Sequence, residues 1–168
     1  MNWARFCGVT AVMLGLALQP SNVSAQALKD QIVGVWSFVS SLDIYADGRT
    51  VDRWGGNPRG IFILDKSGHY AFFITRSDLP SIAAGRYDQG TADEYKAIMQ
   101  GLGANFGSYS VDETDKTLIT KVVGSAYPNL NGREQKRIIT TLNADELKYT
   151  NTGTTAGMRA ESTWRRLK

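Results

Sequence analysis

The sequence predicts a mainly β protein: one antiparallel barrel of about eight or nine short strands, with one short α-helix and an N-terminal helical turn. Three observations carry this expectation. Short apolar segments recur along the chain, polar and glycine-rich turns separate them, and a single capped helical segment interrupts the series. The 168 residues, less an N-terminal leader, make one domain large enough to bury a core.

The leader is residues 1–25. Arg5 supplies its positive start, residues 7–18 its apolar stretch, and Gln19-Pro20-Ser21-Asn22 breaks the pattern. Small residues in Val23-Ser24-Ala25 and Ala25-Gln26-Ala27 place cleavage after Ala25 or Ala27, leaving residues 28–168 as the folded domain. An apolar run of about a dozen residues is too short for a bilayer that needs roughly twenty. The sequence therefore predicts export, to the periplasm or beyond, with no stable membrane anchor after cleavage. Cys7 is the single cysteine and leaves with the leader, so the mature chain has neither disulfide nor thiolate and depends on its core. The formal charge of +3 falls by one with Arg5, and acids and bases are interspersed. That pattern weighs against a nucleic-acid partner, which calls for a basic stripe or patch. Oligomeric state is not legible.

Along the chain, residues 28–33 space their apolar side chains as a short helical turn that plugs one barrel end. A strand follows, with Trp36, Phe38, Ser40 and Leu42 expected on one face because side chains alternate. Asp47-Gly48 forms a turn, residues 50–54 a weak strand, and Gly55-Gly56-Asn57-Pro58-Arg59-Gly60 a loop. Residues 61–65 and 69–76 make a hairpin over Lys66-Ser67-Gly68. In its second strand Tyr70, Phe72, Ile74 and Arg76 share a face, and the opposite face is expected to meet a covering helix. Thr91-Ala92-Asp93-Glu94 is a capping box, with Tyr95, Ile98, Met99 and Leu102 at helical spacing and Gly101 or Gly103 as the stop. Strands are expected over 106–111, 117–125, 137–142, 147–151 and 159–166. A barrel of about eight strands has room for packed side chains or one small ligand.

The chain resembles the lipocalin-like domain proteins of bacteria and fungi, which are distinct from the long-known lipocalins. The resemblance rests on Gly34-Val35-Trp36-Ser37-Phe38, Asn57-Pro58-Arg59-Gly60-Ile61, Ala104 to Asp112, Gly124-Ser125-Ala126-Tyr127-Pro128-Asn129, Gly132 to Arg137, and Trp164-Arg165-Arg166. It implies a lipocalin-like barrel with one end closed by Gly34, Trp36, Trp164, Arg165 and Arg166. Trp36 would plug the floor, with Arg165 or Arg166 over it in a cation–π contact. Two departures stand out: Thr120-Lys121-Val122-Val123 replaces a histidine-rich stretch, and Leu130 stands where a tryptophan is common. No role of imidazole carries over, and the family implies a fold more firmly than an activity.

Chemistry is sparse. His69 is the single histidine, which excludes a metal site of several imidazoles, and Asp43, Asp47 and Asp52 lack metal-loop spacing, so neither metal nor cofactor is expected. Lys121 and Arg137 sit within apolar strands. Either they face outward, or they point inward and need a carboxylate such as Glu161, hydrogen bonds or an anionic ligand to offset lost hydration. Arg76 either greets a carboxylate at the mouth or pairs with Asp78. Tyr70, Phe72, Phe106, Tyr109, Tyr149 and Trp164 supply core or an aromatic wall rather than a cofactor box. The candidate ligand site is thus Tyr70, Phe72, Arg76, Phe106, Tyr109, Lys121, Arg137, Tyr149 and Glu161, with no catalytic residue assigned. The favoured reading is a binder of a small apolar or amphipathic molecule, with residues 77–103 as a lid. The alternatives are an isomerase or cyclase using the same cavity, and a packed barrel acting as a protein-interaction module.

Overall fold

The structure is a computed structural model that describes residues 27–154 and 157–168, so the expected leader lies outside the described residues. A short helix α1 (Leu28–Gln31) leads into β1 (Gly34–Ile44), β2 (Thr50–Val51), β3 (Arg59–Leu64) and β4 (His69–Thr75). Helix α2 (Ala92–Gln100) precedes β5 (Leu102–Asp112), β6 (Thr117–Ser125), β7 (Glu134–Leu142), β8 (Glu146–Asn151) and β9 (Arg159–Arg166). The strands pair antiparallel in the order β2-β1-β3-β4-β5-β6-β7-β8-β9, and β1 also pairs with β9. Eight strands therefore close into a barrel, with β2 as an extra strand at its edge.

Strand β1 serves two neighbours. Its first half pairs with β3 from Gly34 to Ser37, while its pairing with β9 runs from Trp36 to Ile44. The expected inward face of Trp36, Phe38, Ser40 and Leu42 holds only as far as Phe38. Between Phe38 and Ser40 the register against β9 shifts, and one extra residue reverses the alternation. Ser41 and Asp43 are buried as a result, whereas Ser40 and Leu42 face out. Similar shifts occur in the β5–β6 and β7–β8 pairings.

The β3–β4 hairpin forms as expected. The Asp65 carboxylate accepts hydrogen bonds from Ser67 N at 2.8 Å and His69 N at 3.0 Å, which hold it below the usual carboxylate range. Helix α2 begins with the anticipated capping box: Thr91 Oγ1 accepts from Glu94 N at 3.2 Å, and Glu94 Oε2 accepts from Thr91 N at 2.7 Å. It stops at Gly101, and Leu102 already belongs to β5. The helix does not cover the outer face of β4 as expected. None of its residues is buried, and Phe73 on that face remains 43% exposed.

One barrel end is sealed by chemistry concentrated on Arg166. Its Nη1 donates to Val33 O at 2.7 Å, Nη2 to Gln31 O at 2.6 Å and Nε to Ala144 O at 2.7 Å. The guanidinium lies 4.0 Å from the centre of the Trp36 ring, and Trp36 Nε1 donates to Ile32 O at 2.9 Å. Helix α1 is held across this end by Glu113, whose carboxylate accepts from the backbone N of Leu28 and Lys29. Gly34 is required here: its φ is +146°, and a Cβ would collide with Arg166 Nη1. The cation over Trp36 is thus Arg166, while Arg165 faces solvent. Trp164 does not belong to the sealed end either. It is fully buried along the barrel interior, against Phe38 at 4.9 Å, Phe62 at 5.4 Å and Phe72 at 5.6 Å.

Arg166→Lys keeps the charge but loses the fork that reaches three carbonyls. Because a hydrogen bond to a charged group contributes about 1.5–3 kcal/mol, this variant should lose about 1–3 kcal/mol in urea denaturation. Gly34→Ala should lose a similar amount through backbone strain and the clash.

Candidate functional site

The other end of the barrel, where β5 and β9 begin and β1 and β8 finish, opens into a cavity of ≈ 260 Å³. Its walls are apolar where Phe72 and Ile74 of β4 and Tyr149 of β8 face inward, and Leu102 with Met99 of α2 borders them. Between these lie polar groups on alternating inward positions of β1, β7 and β9: Ser41, Asp43, Arg137 and Ser162. The hydroxyls of Ser41 and Ser162 sit 3.0 Å apart and share one hydrogen bond.

Arg137 is 3% exposed. Its Nη1 donates to Thr120 Oγ1 at 2.6 Å and its Nη2 to Gln135 Oε1 at 2.8 Å, and the guanidinium lies 5.6 Å from the Tyr149 ring centre. Both hydrogen-bond partners are neutral. Among the described residues no carboxylate forms an ion pair with it. Burial pushes the Tyr149 phenol up, an effect opposed by the Arg137 charge and by polar groups of Trp164, Ser162 and Arg137. Trp164 Nε1 therefore lies near the Tyr149 hydroxyl, yet it is buried with no hydrogen-bond partner of acceptable geometry.

Asp43 is the acidic counterpart, 3% exposed near the outer end of β1. Burial raises its pKa, the Arg53 charge lowers it, and the neighbouring Asp52 raises it further. Asp52 is itself occupied: its Oδ1 accepts from the backbone N of Trp54 and Gly55, both at 3.0 Å. That turn drives Trp54 inward against Phe38, with ring centres 6.0 Å apart. Among the described residues no three His, Cys, Asp or Glu side chains gather where they would hold a metal.

Of the nine residues expected at the site, Phe72, Arg137 and Tyr149 line the cavity. Tyr70 is buried beside it and donates to Asn105 Oδ1, a cavity residue, at 2.8 Å. The other five are placed elsewhere. Arg76 lies beyond the end of β4 and pairs with Asp78, Nη2 to Oδ2 at 2.6 Å. Phe106 is 55% exposed and packs outside the barrel over Gly124, where a Cβ would meet its ring. Tyr109 donates to Asp65 O at 2.6 Å towards the sealed end. Lys121 faces solvent opposite Glu134, because the inward positions of β6 are Leu118, Thr120 and Val122. Glu161 also faces outward and pairs with Arg159 at 3.3 Å, so it is no partner for Arg137.

Residues 33–167 match the lipocalin-like domain. The chain belongs to that family. Among solved structures, this lipocalin-like barrel is similar to a lipocalin-like protein from Bacteroides uniformis, at 17% identity over 82% of this chain and 99% of that one, with a TM-score of 0.44. It is also similar to the redesigned β-barrel mFAP1 bound to DFHBI, at 15% identity over 84% of this chain and 100% of that one, with a TM-score of 0.41. No curated protein matches the chain.

Sequence reasoning missed Ser41, Asp43, Trp54 and Ser162. For Asp43 and Ser41 the only signal was a strand whose polar residues fall on the wrong face if alternation is unbroken. Asp43 also yields a pH test. A carboxyl whose pKa is raised by folding favours the protonated form, so its contribution to stability is present at low pH and lost as pH rises through the raised value. Asp43→Asn should therefore melt higher than the parent at neutral pH and show no such advantage below about pH 4. Thermal denaturation across that range reads the difference directly.

Proposed function

We propose that this lipocalin-like barrel is an exported carrier that holds a small, largely apolar molecule in its interior. The observation that carries this reading is a cavity of ≈ 260 Å³, open at one barrel end and walled by Phe72, Ile74 and Tyr149. A concave, mostly apolar space with a few polar groups is the form small-molecule sites take. Burial of apolar ligand surface would supply about 25 cal/mol per Å², and the polar side chains would orient the ligand. The leader in residues 1–25 supports export.

The cavity also favours a carrier over a packed interaction module, whose interior would be filled. The isomerase or cyclase reading drew on Lys121, Arg137, Glu161 or a tyrosine as acid, base or charge stabiliser; Lys121 and Glu161 face outward, whereas Arg137 and Tyr149 line the cavity. Part of the segment expected as a lid does approach the opening, through Met99 and Leu102.

The test is titration of the folded protein with a neutral environment-sensitive dye such as Nile red, followed by its fluorescence. Ala160, small and buried at the cavity wall, gives the control. Ala160→Leu should fill the space and weaken dye binding tenfold or more while the protein stays folded by circular dichroism. Absence of binding by the parent protein, with nothing recovered by native mass spectrometry of material from the periplasm, would refute a carrier.

A further inference from the structure

A cation buried in a protein needs compensation, because transfer from water is costly unless charge or hydrogen bonds replace hydration. Arg137 meets that requirement only in part. Its neighbours Thr120 and Gln135 are neutral, and Glu161, the one acid whose sequence position offered a partner, lies on the outside of β9. Two hydrogen bonds occupy one N–H each on Nη1 and Nη2, whereas a guanidinium carries five N–H donors in a planar fork. Beside it stand the Tyr149 hydroxyl and Trp164 Nε1, the latter a buried donor with no acceptor. The arginine fork and the Tyr149 phenol thus meet at the cavity wall with the Trp164 indole buried behind them, and among the described residues no carboxylate pairs with Arg137.

We propose that the cavity selects acids: a small, largely apolar monocarboxylate binds with its carboxylate on the Arg137 fork and its hydrocarbon body against Phe72 and Ile74. This rests on the carrier reading and names the class of molecule carried. A carboxylate matches the fork geometry and accepts more than one hydrogen bond from it. Of the two arginines lining the cavity, Arg53 lies against Asp43, which leaves Arg137 to balance one negative charge and fits a monoanion better than a phosphate monoester. Asp43 reinforces the orientation. It stands on β1, separated from β7 by β8 and β9 around the barrel, so a carboxylate placed on its side would meet a like charge. The head therefore goes to Arg137, and the Asp43 side takes a neutral or hydrogen-bond-donating part of the molecule.

The experiment is calorimetric titration of the full mature protein with a matched set: hydrocinnamate, hydrocinnamamide and hydrocinnamyl alcohol. These share one apolar body and differ in the head. The expected result is that hydrocinnamate binds at least tenfold more tightly than the amide or alcohol at neutral pH. Arg137→Gln should abolish that preference, bringing hydrocinnamate to the level of the amide and alcohol or below. Equal affinity for all three on the parent protein would overturn the acid preference while leaving the carrier reading intact. Failure of all three, together with failure of the neutral dye, would overturn both. If Arg137→Gln does not fold, the matched set on the parent protein still decides, and Tyr149→Phe, which removes one donor at little change in volume, should reduce the preference without erasing it.

Discussion

Everything in this barrel depends on β1 pairing along both edges. A curled sheet becomes a closed one only where the first strand meets the last, and here that joint runs from Trp36 against Arg166 to Ile44 against Arg159. The same strand must also keep β3 over Gly34 to Ser37. A regular strand does not twist enough to satisfy both neighbours along its length, and the bulge after Phe38 supplies the bend. Its second effect is chemical: past the bulge, the inward positions change from Trp36 and Phe38 to Ser41 and Asp43. One extra residue therefore divides the interior into an aromatic half and a polar half.

The two halves are built to different standards of satisfaction. At the sealed end Arg166 is answered by three carbonyls and an indole face, so the cation is fully engaged in structure. Phe38 and Phe72 pack edge to face on Trp164, an arrangement worth about 0.5–1.5 kcal/mol per pair beyond simple burial. At the cavity Arg137 has neutral acceptors alone, and behind it, deeper in the interior, the buried Trp164 Nε1 has none. Proteins seldom leave a buried cation in that condition without a reason, and Arg137 sets the cavity apart from the rest of the core.

Much of the architecture was legible in the sequence because it rests on local chemistry. The capping box at Thr91 and Glu94, the hairpin after Asp65 and the closing role of Gly34, Trp36 and Arg166 each follow from residue types at short spacing or from the family resemblance. The facing of strand residues was legible only between bulges. Lys121 and Glu161 illustrate the limit: being within an apolar strand says nothing about side, and both lie on exposed positions whose neighbours in sequence are buried. Asp43 was read with the turn that follows it, because nothing local marks the bulge four residues earlier. Phe106 was assigned to the wall on its aromatic character, whereas it shields the backbone at Gly124 from outside.

Beyond Ser37 the edge of β1 leaves β3, and β2 does not take it up again until Asp43 faces Val51. Across this interval no ladder of backbone hydrogen bonds stitches the wall, and the side chain of Trp54 fills the breach against Phe38. Elsewhere a widening of the barrel would have to break strand pairing. Here the wall is held by side chains, with Phe38 close against Gly60 of β3 and against Trp54, which is set by a turn on Asp52 that sits at the surface. The interval between β1 and β3 is therefore a seam in the wall, closed by side chains rather than by strand pairing.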